Sequence, residues 1–161
     1  YRLYHPRLAR FLSTLMRRPA LVEEVLNDTL YAVWSRPAAF QGRSKLSTWT
    51  FGIAYRKAMK AISRQDDAAP LDDAWAELLP SDEAGPDRIL ENGQTRAILA
   101  RAIDELSPDH RAVVDLCYFQ EMAYRDIAEV VGCPVDTVKT RMFHARRHLK
   151  NRLADDVGVR L

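Results

Sequence analysis

Apolar side chains recur at Leu21, Val22, Val25, Leu26, Thr29, Leu30, Val33 and Trp34. Steps of three and four residues predict an amphipathic helix over 20–35. Glu23, Glu24, Asn27, Asp28 and Tyr31 fall largely off that stripe. Leu8, Phe11, Leu12 and Leu15 predict a partner helix over Leu3 to Arg17, with Pro19 marking the junction. Pro37 and Gly42 mark a loop at 36–44. Leu46, Trp49, Ile53, Ala54, Ala58, Ala61 and Ile62 then predict a third helix, Leu46 to Arg64. Strand alternation is seen nowhere, so the fold class is all-α.

A second helical set begins near Gly93. Ile98, Leu99, Ala102, Ile103 and Leu106 share one helix face. Ser107-Pro108 reads as an N-cap followed by proline at the first helical position, opening a helix through Cys117. A short helix over Ala123 to Val131 stops at Gly132, and a final helix starts near Asp136. Val138, Met142, Ala145 and Leu149 are its expected buried positions.

Charge divides the chain more sharply than hydrophobicity. The whole carries only +2, which on its face argues against a polyanion-binding protein. Residues 1–64 hold +9, residues 65–92 hold −8, and residues 93–161 hold +1. Within the last part, 137–152 holds six bases and no acid. This partition predicts two small helical domains, 1–64 and 93–161, joined by an acidic linker at 65–92, and not one compact body. Trp75, Leu78 and Leu79 give the linker some apolar content.

Several classes drop out. No stretch approaches the ~18 apolar residues of a membrane span, and the first residues lack the apolar core of a secretion signal. Two cysteines, Cys117 and Cys133, make neither a disulfide framework nor a zinc site by themselves. They read as reduced, structural thiols in a cytoplasmic protein, with a redox role left open. His5, His110, His144 and His148 show no ligand spacing, so no metal and no cofactor is expected. No nucleophile and base stand out, and the chain does not read as an enzyme.

The informative pattern lies at 124–143. Ala128 is small where two helices would cross, and Gly132 can take the left-handed conformation of a tight turn. Val138, with Ile127 and Val131, would close a small core, giving the spacing of a helix-turn-helix. The second helix then presents Lys139, Thr140, Arg141, Phe143, His144, Arg146 and Arg147. An acid-free basic helix suits the DNA major groove, where Arg pairs with guanine edges and Lys with phosphates. A merely solvated basic face would ordinarily carry compensating acids.

At these residues the chain resembles bacterial sigma factors of the sigma-70 family, more narrowly their extracytoplasmic-function (ECF) group. Pro134 to Arg146 resembles the signature PVGTVKSRLxRAR, and Leu106 to Val114 resembles LPPxxRAVV. Glu23 to Leu30, with Trp34, resembles AEDLVQDTFLRAW. Phe40 to Trp49 resembles FRGxSxLRTWL. The likeness runs along nearly the whole chain outside 65–92.

The resemblance implies a transcription initiation factor that binds core RNA polymerase and reads promoter DNA. It assigns 1–64 to sigma region 2, whose polymerase-binding surface would include Glu24, Asn27, Asp28, Leu30 and Trp34. The −10 element would be read, as melted strand, by Phe40, Gln41, Arg43, Ser44, Lys45, Trp49, Phe51, Arg56, Lys57 and Lys60. Aromatic platforms and basic tracking are what single-stranded DNA requires. Trp49 fits either a platform or the core. Residues 93–161 would be region 4, with the final helix in the −35 major groove. The acidic linker would thread near the polymerase active channel. A membrane-linked anti-sigma partner is also implied, with no membrane insertion by this chain.

Some positions depart from the family pattern. Gly52 and Arg56 stand where a basic residue and Asn are common. His144 replaces a frequent Arg, forgoing a contact worth ~1–3 kcal/mol. Asp136 replaces a frequent Gly, and its carboxylate is placed to cap the recognition helix. Two other readings remain open: a helix-turn-helix regulator that binds duplex DNA without polymerase, and a helical adaptor acting through the stripe at 20–35.

Overall fold

The computed structural model describes residues 1–64 and 86–157. Among them the chain forms α1 (Tyr4–Leu15), α2 (Pro19–Ser35), α3 (Leu46–Arg64), α4 (Pro86–Asp104), α5 (Pro108–Tyr118), α6 (Tyr124–Val131) and α7 (Val135–Val157), with one 3-10 turn at Pro37–Ala39. No strand occurs among the described residues, and none of their helices is long and apolar enough to cross a membrane.

Local chemistry places the boundaries. Pro19 and Pro108 occupy the first turns of α2 and α5, where a missing N–H costs nothing and the fixed φ already suits a helix. Ser107 caps α5 by accepting a 3.4 Å hydrogen bond from the His110 amide. Helix α4 starts at Pro86, inside the stretch read as linker. Residues 65–85, with Trp75, Leu78 and Leu79, lie outside the described residues.

The two helical sets do not stand apart. Leu8, Phe11 and Leu12 of α1, Val25 and Leu26 of α2, and Phe51, Ala54 and Ala58 of α3 are buried in one continuous cluster. The same cluster includes Val113 and Leu116 of α5, Ile127 and Val130 of α6, and Val138 and Met142 of α7. Residues of both helical sets thus share one buried cluster. Helix α3 packs on α2 and α6, and α1 packs on α5. Each fully buried large apolar side chain contributes about 1.5–3 kcal/mol. A shared cluster is thus a strong tie.

Glycine makes one of these approaches possible. A Cβ on Gly52 would stand 3.9 Å from Cα of Val130, so α3 and α6 meet there almost backbone to backbone. Polar groups line the rest of the seam. Tyr55 donates to Asp109 at 2.8 Å, and Arg7 Nε donates to Gln120 Oε1 at 2.9 Å. Arg17 donates to the Asp104 carbonyl at 2.9 Å. The Arg10 guanidinium lies 3.7 Å above the Phe119 ring.

On α2 the buried side chains are Val22, Val25, Leu26 and Thr29, all from the predicted stripe, but the stripe stops short of Trp34, which is 82% exposed. On α3 they are Thr48, Thr50, Phe51, Ala54, Tyr55 and Ala58, and Leu46 is exposed. Helix α3 has neighbours on two sides, so its buried surface is wider than one amphipathic stripe.

A smaller cluster of Ala102, Ile103 and Leu149, with Leu99 and Leu106, joins α4 to the far end of α7. There Glu105 meets His148 at 2.9 Å and Arg152 at 2.7 Å. The last base of the acid-free run is therefore compensated by an acid just past the end of α4.

Candidate nucleic-acid interface

Helices α6 and α7 form the helix-turn-helix that the spacing predicts. Gly132 adopts φ 68 and ψ 40, the left-handed region that favours glycine. This lets the amides of Gly132 and Cys133 both donate to the Ala128 carbonyl, at 2.9 and 3.2 Å. Ile127, Ala128 and Val138 are buried beneath the turn. Asp136 is inside the first turn of α7 and not at its cap. Its carboxylate therefore helps only through the helix dipole, and its carbonyl accepts from Thr140 at 3.0 Å.

Burial of Val138, Met142, Ala145 and Leu149 fixes the outward face of α7. Lys139, Thr140, Phe143, His144, Arg146 and Arg147 are all exposed on that face. Phe143, 62% exposed, stands edge-on to His144 at 5.6 Å. A shallow groove of about 490 Å³ runs between Tyr124, Lys139, Met142, Phe143, Arg146, Arg147 and Lys150. Arg146 Nε donates to Tyr118 Oη at 2.7 Å. Spacing alone does not single out Tyr118 and Tyr124. Their only signal in the sequence is an aromatic at each end of the α5–α6 connection.

Arg141 differs from its neighbours. It is half-buried, and its Nη1 is shut off from water without a hydrogen-bond acceptor. Burial, and then the nearby Arg141 charge, hold the His110 imidazole below its usual pKa. Arg141 also acts on Tyr55, whose phenol is pushed up chiefly by burial and by its bond to Asp109. Arg141 therefore lies beside the seam with α3.

The residues expected to read the −10 element fall into two groups. Gln41, Arg43, Lys45, Arg56 and Lys60 are exposed, and Ser44 and Lys57 are half-buried. Phe40 and Trp49 are half-buried and pack on each other, ring centroids 5.2 Å apart. Neither joins the core. Phe51 is the correction. It is fully buried, edge-on to Phe11 at 5.3 Å, with Arg7 over its ring. A base cannot reach it without breaking the core.

On α2, Glu24, Asn27, Asp28 and Trp34 are exposed and Leu30 is half-buried. Tyr31, set off the stripe in sequence, is exposed between Asp28 and Trp34. These side chains form an acidic strip ending in two aromatic rings. Elsewhere, Cys117 and Cys133 are free thiols, both half-buried. Among the described residues no three His, Cys, Asp or Glu side chains are grouped to hold a metal.

Comparison with known proteins gives this arrangement a family. Residues 1–68 match the family model for Sigma-70 region 2, and residues 96–149 match that for Sigma-70, region 4. The ECF RNA polymerase sigma-E factor of Haemophilus influenzae is 25% identical over 158 residues, covering 93% of this chain and 83% of that protein. The ECF RNA polymerase sigma factor RpoE of Cereibacter sphaeroides is 26% identical, covering 94% and 82%. Among solved structures, the sigma factor RpoE of Bartonella quintana, in complex with the anti-sigma factor NepR, superposes with a TM-score of 0.66. It is 25% identical and covers 94% of this chain and 92% of that one. The chain belongs to the sigma-70 family, in its ECF group: it is a transcription initiation factor that binds core RNA polymerase and directs it to promoters.

Proposed function

We propose that α7 enters the major groove of the −35 element. In this reading Arg141, Arg146, Arg147 and Lys139 neutralise phosphates or pair with guanine, and Thr140, Phe143 and His144 meet base edges and thymine methyls. The carrying observation is the exposed, acid-free face of α7, set on the second helix of a helix-turn-helix. The Phe40–Trp49 pair and the cations Arg43, Lys45, Arg56, Lys57 and Lys60 receive the melted −10 strand. The strip from Glu24 to Trp34 on α2 docks on the polymerase. On this assignment 1–64 is the polymerase and −10 domain, and 93–161 the −35 domain. The factor works in the cytoplasm without enzymatic chemistry of its own. An anti-sigma partner holds it off, a reading supported by the Bartonella quintana relative, which was solved in complex with the anti-sigma factor NepR.

Run-off transcription with purified core polymerase tests the reading. The chain plus core should start at defined promoters, and core alone should not. No promoter-specific start, with tight duplex binding by the chain alone, would instead favour a polymerase-independent regulator.

A further inference from the structure

Beside the outward face of α7 stands a histidine that the −35 reading leaves unused. His110, in the first turn of α5, is half-buried. Its Nδ1 lies 2.6 Å from Ser107 Oγ. That hydroxyl also accepts from the His110 amide at 3.4 Å, so it is placed to give its own proton to Nδ1. The neutral ring then carries its hydrogen on Nε2, a donor without a partner among the described residues.

The surroundings of that nitrogen are rich in donors instead. The His144 ring stands 6.5 Å away, centroid to centroid, and is exposed on α7. Arg141, also of α7, acts on His110 through its charge, and its Nη1 is closed off from water with no acceptor. The acid that acts on His110 is Asp109, one position back on α5, and its Oδ1 is already bonded to Tyr55 of α3 at 2.8 Å. Three nitrogen-bearing side chains thus share one carboxylate that is already engaged. Unpaired donors in a half-buried place suit an anion brought by a partner.

We propose that His110 is a further contact of the −35 duplex, its ring donating to a backbone phosphate beside Arg141 and His144. The proposal rests on the placing of α7 in the −35 groove. A phosphate there supplies the missing acceptor, and it also reverses the electrostatics of the ring. In the free chain burial, and then Arg141, hold the His110 imidazole below its usual pKa, with Asp109 opposing and His144 adding to the effect. A phosphate against the ring offsets the Arg141 charge and stabilises the imidazolium. Binding therefore takes up a proton that the free chain does not hold at neutral pH. By linkage the complex tightens as the pH falls, by at most about ten-fold per pH unit for one proton.

Duplex affinity at constant salt, read by fluorescence anisotropy at pH 8 and pH 6, tests this with the full chain, His110→Gln and His144→Gln. Glutamine keeps a donor in much the same place but cannot be charged. The unsubstituted chain should bind at least about three-fold more tightly at pH 6, with a salt slope steeper by up to about 0.9. His110→Gln should lose most of both changes, and His144→Gln should keep them. Asp115 titrates in the same range but is common to all three proteins, so the difference between them belongs to the histidines. Tight duplex binding that is flat with pH overturns the proposal and leaves the −35 reading standing. A His110→Gln profile parallel to that of the unsubstituted chain overturns it as well. No duplex binding at either pH, with no promoter start on core polymerase, overturns the −35 reading and the proposal with it. A second measurement needs no variant. The ring-proton NMR signal of His110 should titrate at higher pH in the duplex complex than in the free chain, and an equal or lower midpoint overturns the contact.

Discussion

Oδ2 of Asp115 lies 3.3 Å from Oγ1 of Thr14, across the seam between α5 and α1. That hydroxyl also lies 3.1 Å from the Arg10 carbonyl, to which it donates. It has one proton to give. Turned toward Asp115, it donates to the carboxylate and favours the charged form. Burial outweighs this and pushes the Asp115 carboxyl up to about 6, opposed by Gln120, Arg10 and Thr14. The positive charges facing it come from α1: Arg10 directly, and Arg7 through Gln120.

Stability should therefore rise as the medium is acidified from pH 7 toward 5. The folded chain holds the Asp115 proton below about pH 6, while an exposed aspartate, at 3.8, does not. The gain accumulates between these values and reaches at most roughly 3 kcal/mol. Urea unfolding at pH 5 and 7.5 measures it. In Asp115→Asn this part of the pH dependence should vanish. An unchanged slope would show that Asp115 titrates normally.

Arg141→Ala with Arg146→Ala should weaken −35 binding and flatten its salt dependence. Each lost phosphate contact reduces the log–log slope by about 0.9. Affinity for core polymerase should not move. Titration of duplex binding from low to moderate salt, beside a polymerase pull-down, separates the two effects.

Tyr118→Phe removes the acceptor that holds Arg146 Nε at 2.7 Å. Since both side chains are exposed, the fold should be unaffected. Without its tether Arg146 must be ordered on binding, at a cost near 0.5–1.5 kcal/mol. The expected loss of duplex affinity is a few-fold, with the salt slope unchanged. A changed slope would mean that the charge itself had been displaced.

Phe51→Ala and Trp49→Ala should separate folding from strand capture. Phe51 is fully buried against Phe11, so its truncation should cost about 3–5 kcal/mol of stability. Trp49 is half-buried against Phe40 outside the core. Its loss should leave the thermal midpoint within a few degrees and reduce promoter opening, read by permanganate footprinting.

Trp34→Ala with Tyr31→Ala removes two exposed rings from α2. Stability should stay within about 0.5 kcal/mol, the usual range for surface changes. Affinity for core polymerase should fall. Equal affinity by fluorescence anisotropy would place the docking surface elsewhere.

What the sequence reveals follows from how local each signal is. The turn at Gly132, the Ser107 cap and the basic face of α7 depend on neighbours within a few residues. Each is readable from spacing. Phe51 is not, because two aromatics two positions apart on α3 face different ways, and only α1 decides which is covered. Trp34 extends an apolar stripe by spacing alone, but among the described residues no helix covers that end of α2. Asp115 and Tyr55 give no signal either, since a polar residue on a helix normally faces water. Their burial depends on a partner about a hundred or fifty positions away.

The seam also sets an order of events in the life of the chain. Thr14 and Asp115 are 101 positions apart, and Arg7 and Gln120 are 113. When α1–α3 leave the ribosome, the partners for their seam side have not yet been made. Contacts of such long sequence separation form late, because the loop must close before they reward it. For part of every synthesis the nascent factor exists as an uncovered N-terminal half, with the Gly52 and Tyr55 side of α3 facing solvent. It acquires its own cover only as α5 and α6 emerge.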